Sequence, residues 1–312
     1  MVEVARFPGG LNGAERLAAD AEQPTRRPGG MVSVAISEAA PGSAAEWPPL
    51  PSRAALAWRD LADGFGKSWM WGALALQDIK LRYRGSVLGP FWLTISTLVM
   101  VAAMGVIYGR LFRVDTANYL PYLALGLIVW QAFSGMITEG CETFLREQSV
   151  IQQVPIAFSI HAYRNVCRNF IVLAHNLVIV PIGLVIFAIP VNWHSLEIIP
   201  GFLLLAINGF WISILLGLVS ARFRDVPPIV ASFLQVVFFV TPIFWPVEML
   251  GNWQAIATLN PLFAAIDVVR APLLGVATAS HSWLVLLIMT VLGCGVTFAV
   301  FARFRTRIAY WI

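Results

Sequence analysis

Apolar residues form six long runs after residue 90, separated by short polar or proline-containing segments. A helix needs about 20 mostly apolar residues to cross the hydrocarbon layer of a bilayer. Runs of about this length predict spans at approximately residues 91–108, 119–137, 170–189, 198–219, 229–245 and 283–301. The pattern therefore predicts an all-α membrane protein with six transmembrane helices.

A basic, half-apolar segment, Asp78–Trp92, leads into the first span through Gly89-Pro90. Drawn as a helix, it places Leu76, Ile79 and Tyr83 on one face and cations on its flank. This arrangement is typical of a helix that lies on the lipid headgroups. We expect an amphipathic interface helix before the first span.

Residues 1–57 are rich in proline and glycine and show no periodic apolar pattern. Such a segment cannot build a core, so we expect a disordered cytoplasmic tail followed by a transmembrane domain over residues 58–312. No continuous apolar run follows the early arginines, which argues against a cleaved signal peptide.

Lysine and arginine cluster at one side of the predicted spans, and positive residues are retained in the cytoplasm. The outer loops hold only Arg110, Arg113 and Arg270. Both termini are therefore expected to be cytoplasmic. The basic residues are divided among loop ends rather than clustered with aromatics, which argues against nucleic-acid binding.

Composition excludes several kinds of chemistry. Charged residues make up 12% of the chain and hydrophobic residues 58%, whereas soluble domains carry about 25% charged residues. The three cysteines have no metal-site spacing, and the central spans contain no carboxylate for a proton- or sodium-coupled carrier. The string Gly64–Ser68 fails as a phosphate-binding loop because Leu61 stands where a glycine is needed. We expect neither a metal site nor catalysis in this chain.

Two connecting segments are unusual. From Glu139 to Pro155, charges alternate with apolar residues, which predicts a short amphipathic helix. It suits either the membrane surface or docking of a soluble partner. The loop at residues 246–282 is apolar but broken by prolines and glycines, which predicts re-entrant helices on the outer face.

The stretch Asp78–Trp92 resembles the start of type 2 ABC-transporter permeases that export polysaccharides. The segments at 122–130, 222–226, 241–246, 260–262 and 307–312 are similar to that family in order and spacing. The resemblance covers about residues 58–312. It implies a homodimer in the bacterial inner membrane that works with two copies of a separate ATPase, which would hold ATP and Mg²⁺; no cofactor is expected in this chain.

The resemblance also implies a substrate, a polysaccharide linked to polyprenyl pyrophosphate, and roles for particular residues. The pyrophosphate candidates are Lys80, Arg82 and Arg84, although positive-inside anchoring also accounts for each of these charges. The candidate channel aromatics, which also suit an aromatic belt or ordinary packing, are Tyr119, Tyr122, Trp130, Phe238, Phe239, Phe244 and Trp245. The candidates for ATPase coupling are Glu142, Arg146, Glu147, Gln148, Arg222, Arg224 and Asp225.

Two other functions remain open at this point. An exporter of a small drug or lipid would share the same fold. A membrane enzyme acting on lipid-linked sugars would turn over a sugar nucleotide without any ATPase.

Overall fold

The computed structural model describes residues 51–89, 91–190 and 192–312. The predicted tail lies outside these ranges up to residue 50, and the first helix already begins at Arg53, so residues 53–57 are helical rather than tail. Within the described ranges all regular secondary structure is helical, which confirms the all-α class.

Thirteen α-helices occur in the described part of the chain. They are α1 Arg53–Gly66, α2 Ser68–Arg82, α3 Phe91–Phe112, α4 Thr116–Cys141, α5 Gln148–Gln153, α6 Ser159–Leu177, α7 Ile179–Ile186, α8 Ile198–Arg222, α9 Val226–Val240, α10 Gln254–Thr258, α11 Pro261–Leu273, α12 Ser280–Phe304 and α13 Ile308–Trp311. Three short 3₁₀ helices lie at Trp193–Glu197, Val247–Trp253 and Arg305–Arg307.

Five helical segments of the described chain are long and apolar enough to cross a membrane. They are Phe91–Phe112, Thr116–Cys141, Ser159–Gly183, Trp193–Arg222 and Ser280–Trp311. The region predicted as the fifth span forms only the 15-residue helix α9, about 22 Å long at 1.5 Å per residue. It ends because Thr241 is extended, as expected for a residue that precedes a proline.

The predicted re-entrant helices are confirmed as a bent pair between α9 and α12. The segments Val247–Thr258 and Pro261–Leu273 meet at an angle of 114°. Asn260 stands at the bend, where its side chain accepts a hydrogen bond from the backbone N–H of Leu262 at 2.9 Å. Pro261 follows at the first position of α11, where a missing N–H costs nothing.

Helix α4 forms the centre of the bundle. In its most apolar 18-residue stretch, 67% of the residues are buried, against 22% in the corresponding stretches that contain α3 and α12. Its side chains Leu123, Phe133 and Met136 are fully enclosed. Gly140 lets α8 approach closely, because a Cβ there would lie 3.1 Å from the Cα of Ser213. Residues carried by α4 are therefore held rigidly.

The helix pair α1 and α2 precedes the first span, in the region where one interface helix is expected. In α2, Ile79 is buried and the following Tyr83 is half-buried, but Leu76 is 51% exposed. The helix ends at Arg82, and residues 83–89 form turns, with positive φ at Gly85 and Gly89. The basic stretch is therefore a helix end followed by a turn.

Candidate functional site

Six charged side chains form a continuous ionic network where α2, α4 and α6 meet. Its members are Asp78, Arg82, Glu139, Glu147, Arg164 and Arg168. The Asp78 carboxylate accepts hydrogen bonds from Arg164 at 2.6 and 2.8 Å and from Arg168 at 2.7 Å. Arg168 also donates to Glu139 at 2.7 and 2.9 Å. Arg168 of α6 therefore ties α2 to α4, and Arg164 of the same helix adds a second contact to α2.

The network reaches two candidate residues at its ends. Arg82 donates to Glu139 at 2.7 Å, and Arg164 lies 2.8 Å from Glu147. All three pyrophosphate candidates are exposed, and Arg82 is in addition engaged in an ion pair.

Asp78 carries its charge despite its partial burial. Burial alone would raise the pKa of this carboxyl group, but the hydrogen bonds from Arg164 and Arg168 outweigh burial and hold its pKa below the ordinary value. Its side chain is 16% exposed, so water screens these contacts less than it screens a surface pair.

The segment expected to form a helix from Glu139 instead forms a turn and then a shorter helix. Helix α4 continues to Cys141, residues 142–147 form turns, and α5 begins only at Gln148. These six residues are referred to as the 142–147 turn. Within it, Glu142 pairs with Arg146 on the surface, while Glu147 joins the ionic network.

The other coupling candidates lie at the α8–α9 connection. Arg222, Arg224 and Asp225 are exposed, and Phe223 between them is extended. In the described part of the chain they form no ion pair with the 142–147 turn.

A second buried carboxylate, Asp60 of α1, fixes the start of α6. It accepts hydrogen bonds from the backbone N–H groups of Phe158 and Ser159 at 3.2 and 2.9 Å. Arg305, which directly follows α12, donates to the same carboxylate at 2.7 Å. A negative charge at a helix N-terminus is favourable, so Asp60 links α1, α6 and the end of the chain.

The last residues pack beneath the bundle against the turn and α5. Ile308 is fully buried and Ile312 is 8% exposed, in one apolar cluster with Phe144. The Gln152 side chain of α5 donates to the backbone oxygen of Ile312 at 3.2 Å. The segment 305–312 therefore supports α5.

An open groove of about 490 Å³ lies between α4 and α9. Three candidate aromatics line it, Trp130, Phe238 and Phe239, together with polar Ser134, Thr138 and Gln235. The rings of Trp130 and Phe238 are 5.7 Å apart, and those of Phe238 and Phe239 are 5.3 Å apart. We call this surface the α4/α9 groove.

The remaining aromatic candidates hold the segment that follows α9. Tyr119 is 3% exposed and donates to the backbone oxygen of Phe244 at 2.6 Å. The Tyr122 hydroxyl lies 3.3 Å from the backbone oxygens of Pro242 and Trp245. The four remaining candidates, Tyr119, Tyr122, Phe244 and Trp245, therefore fix a loop and are not among the residues that line the α4/α9 groove.

Arg270 of α11 is an interior residue that sequence reasoning assigned to an outer loop. It is 2% exposed, and its guanidinium lies 3.9 Å from the centre of the Tyr122 ring. It also donates to the Pro242 backbone oxygen at 3.0 Å. Its interior position could have been predicted, because it lies on an apolar segment broken by prolines and glycines, and a cation in such a segment needs partners inside the protein. Arg270 thus joins the bent helix pair to α4.

Comparison with known proteins identifies a family. The family described as "ABC-2 type transporter" matches residues 71–274. The chain is also similar to the "O-antigen export system permease protein RfbA" of Klebsiella pneumoniae, 28% identical over 195 residues, which cover 61% of this chain and 74% of the relative. The protein of the same name from Myxococcus xanthus is 22% identical over 205 residues, 64% of this chain and 78% of the relative.

Proposed function

Because the chain belongs to the ABC-2 type transporter family, we propose that it is the permease subunit of an ATP-driven polysaccharide exporter. The names of its relatives, O-antigen export permeases, support this substrate class. The chain itself has no complete phosphate-binding loop, so ATP hydrolysis falls to a separate subunit. We propose a homodimer with two such ATPase subunits in the bacterial inner membrane, with both termini cytoplasmic.

The observation that carries the proposal is the α4/α9 groove. Sugars present C–H faces and hydroxyl groups with little charge, so aromatic faces and uncharged polar side chains suit them. The groove offers Trp130, Phe238 and Phe239 beside Ser134 and Gln235. Such a lining favours passage of a glycan over passage of an ion.

The exposed cations at the end of α2 and in the turn that follows it suit the lipid pyrophosphate of the substrate. A doubly charged headgroup is held best by several cations. Lys80 and Arg84 are free to meet it at the surface, whereas Arg82 is oriented by Glu139. We assign loading of the lipid-linked glycan to this stretch and its release to the opposite membrane face.

The 142–147 turn and α5 are our candidate for the ATPase contact. Glu142, Arg146 and Gln148 offer charge and hydrogen-bonding groups. Glu147 connects this surface through Arg164 to Asp78 and hence to α2. A displacement of the turn by the ATPase would therefore act on the loading stretch.

Export of a lipid or small apolar drug is the second candidate. An apolar cavity of about 710 Å³ lies between α8, α9 and the bent helix pair, with Phe233 in its wall. Such a lining suits acyl chains or apolar drugs rather than sugars.

Two phenylalanines of α9 distinguish these candidates. Phe239, 60% exposed, lines the groove, and Phe233, 62% exposed, lines the apolar cavity. We expect Phe239→Ala to reduce ATP-dependent glycan export in membrane vesicles about tenfold. Stacking of a nucleic-acid base on one aromatic ring contributes about 1–3 kcal/mol, and a similar contribution from a sugar face would correspond to about this change. Phe233→Ala is the matched control and should export normally. Unchanged glycan export with Phe239→Ala, together with lost lipid export with Phe233→Ala, would favour the second candidate.

A further inference from the structure

A small polar cavity separates the 142–147 turn from the beginning of α6. Thr143 lies on the turn side and His161 on the α6 side. The cavity measures about 20 Å³. A water molecule needs about 10–15 Å³ on this scale, so the space fits one water and no larger ligand.

Two side chains that border the cavity have unmet hydrogen-bonding capacity. His161 is 3% exposed and Thr143 is 6% exposed. Neither ring nitrogen of His161 has a hydrogen-bond partner among the described residues. The Thr143 hydroxyl has none among them either. Burying such groups without partners costs about 1–3 kcal/mol each, and buried polar groups of native proteins nearly always have a partner.

The charges around the cavity argue against an ion. Each of its three carboxylates, Glu139, Glu142 and Glu147, is already paired with an arginine that also borders the cavity. A cation would compete with these arginines, and an anion would compete with the carboxylates. A neutral molecule that both donates and accepts fits any tautomer of His161.

We propose that this cavity binds one ordered water molecule that bridges His161 and Thr143. The water then joins the 142–147 turn to α6 beside the direct Glu147–Arg164 ion pair. A water-mediated hydrogen bond is nearly as favourable as a direct one. This inference does not depend on the transported substrate or on the ATPase partner.

The replacement Thr143→Val tests the proposal by the sign of its effect. Valine keeps the shape of threonine but removes the hydroxyl. If a water bridges the two side chains, the change breaks a hydrogen bond and lowers the Tm of the purified chain by about 2–4 °C. If the hydroxyl is dry, its removal relieves a buried unpaired group, and the Tm stays the same or rises. The second result would overturn the proposal.

Thr278→Val provides the matched control. The Thr278 hydroxyl is also buried without a partner among the described residues, but Thr278 does not border this cavity. We expect its replacement to leave the Tm unchanged or to raise it. A cryo-EM map of the full chain at water-resolving quality provides the second measurement. A single peak about 2.7–3.2 Å from a His161 nitrogen and the Thr143 hydroxyl supports the proposal; density for a protein side chain, or no peak, overturns it.

Discussion

Replacing Asp78 by asparagine tests whether the ionic network stabilises the fold. The change keeps the size of the side chain but removes the charge that faces Arg164 and Arg168. Neither arginine is left alone, because Arg164 keeps Glu147 and Arg168 keeps Glu139. We therefore expect a smaller loss than the 3–5 kcal/mol of a buried pair that loses one partner outright.

The expected loss follows from the contacts that are weakened. Asp78 accepts three hydrogen bonds of 2.6–2.8 Å from charged donors, and a bond to a charged group contributes about 1.5–3 kcal/mol. One oxygen of the asparagine still accepts a bond, so we expect a loss of about 2–3 kcal/mol. For a chain of this size that corresponds to a fall in Tm of about 5–10 °C.

Glu142→Gln is the matched control for the assay, which is thermal unfolding of the purified chain in detergent. It breaks the Glu142–Arg146 pair, whose side chains are 38% and 50% exposed. Exposed pairs contribute about 0–1 kcal/mol, so the Tm should fall by no more than about 2 °C. An equal or smaller effect of Asp78→Asn than of Glu142→Gln would refute the reasoning.

The effect of Asp78→Asn should also depend on pH in one direction. Burial opposes the charge of Asp78, but the arginine hydrogen bonds prevail and lower its pKa below the ordinary value. A lowered folded-state pKa means that the stabilisation is fully present above the unfolded pKa and is lost as the pH falls through the folded value. The difference between wild type and variant should stay constant from pH 8 to pH 5 and shrink only below about pH 4. A difference that already vanishes at pH 6 contradicts this assignment.

Three further predictions follow from the contacts of other residues. The double replacement of Lys80 and Arg84 by glutamine should reduce glycan export severalfold while leaving the Tm unchanged, because both side chains are exposed; normal export would remove the pyrophosphate role. Ile308→Ala should lower the Tm by about 5–10 °C, because truncating a fully buried isoleucine costs about 2–5 kcal/mol. The control Tyr310→Ala, at an 88% exposed position, should leave the Tm unchanged. Equal falls in Tm for the two variants would contradict the packing of α13. Arg270→Lys should lower the Tm measurably, since lysine cannot reproduce both the ring stacking and the forked hydrogen bonding of the guanidinium; an unchanged Tm would show that this contact adds nothing.

Much of the architecture follows from local pattern. Long apolar runs predict the helical class and the bent pair, because both depend on the length and the breaks of each run. The shortness of α9 was missed, although Pro242 was visible and disfavours helix at Thr241. The start of α5 was also misplaced, because the charge pattern is compatible with either a turn or a helix over residues 142–147.

The candidate site depends more on tertiary contacts than on pattern. The sequence identifies Arg82 as a cation, but its partner Glu139 is 57 residues away. The partners Asp60 and Arg305 are 245 residues apart. Ion pairs between residues so far apart in the sequence form only when the bundle folds. The distribution of arginines along the chain therefore predicts on which side of the membrane they lie, but not which partners they have. The pyrophosphate, channel and coupling roles of the candidate residues stay predictions.

Deletion of the gene in its native bacterium tests polysaccharide export most directly. The measurement is the surface glycan together with the lipid-linked glycan inside the cell, with the wild-type gene restored as a control. We expect the surface glycan to disappear, lipid-linked glycan to accumulate at the cytoplasmic face, and the restored gene to reverse both changes. Normal surface glycan in the deletion strain would contradict the proposed function.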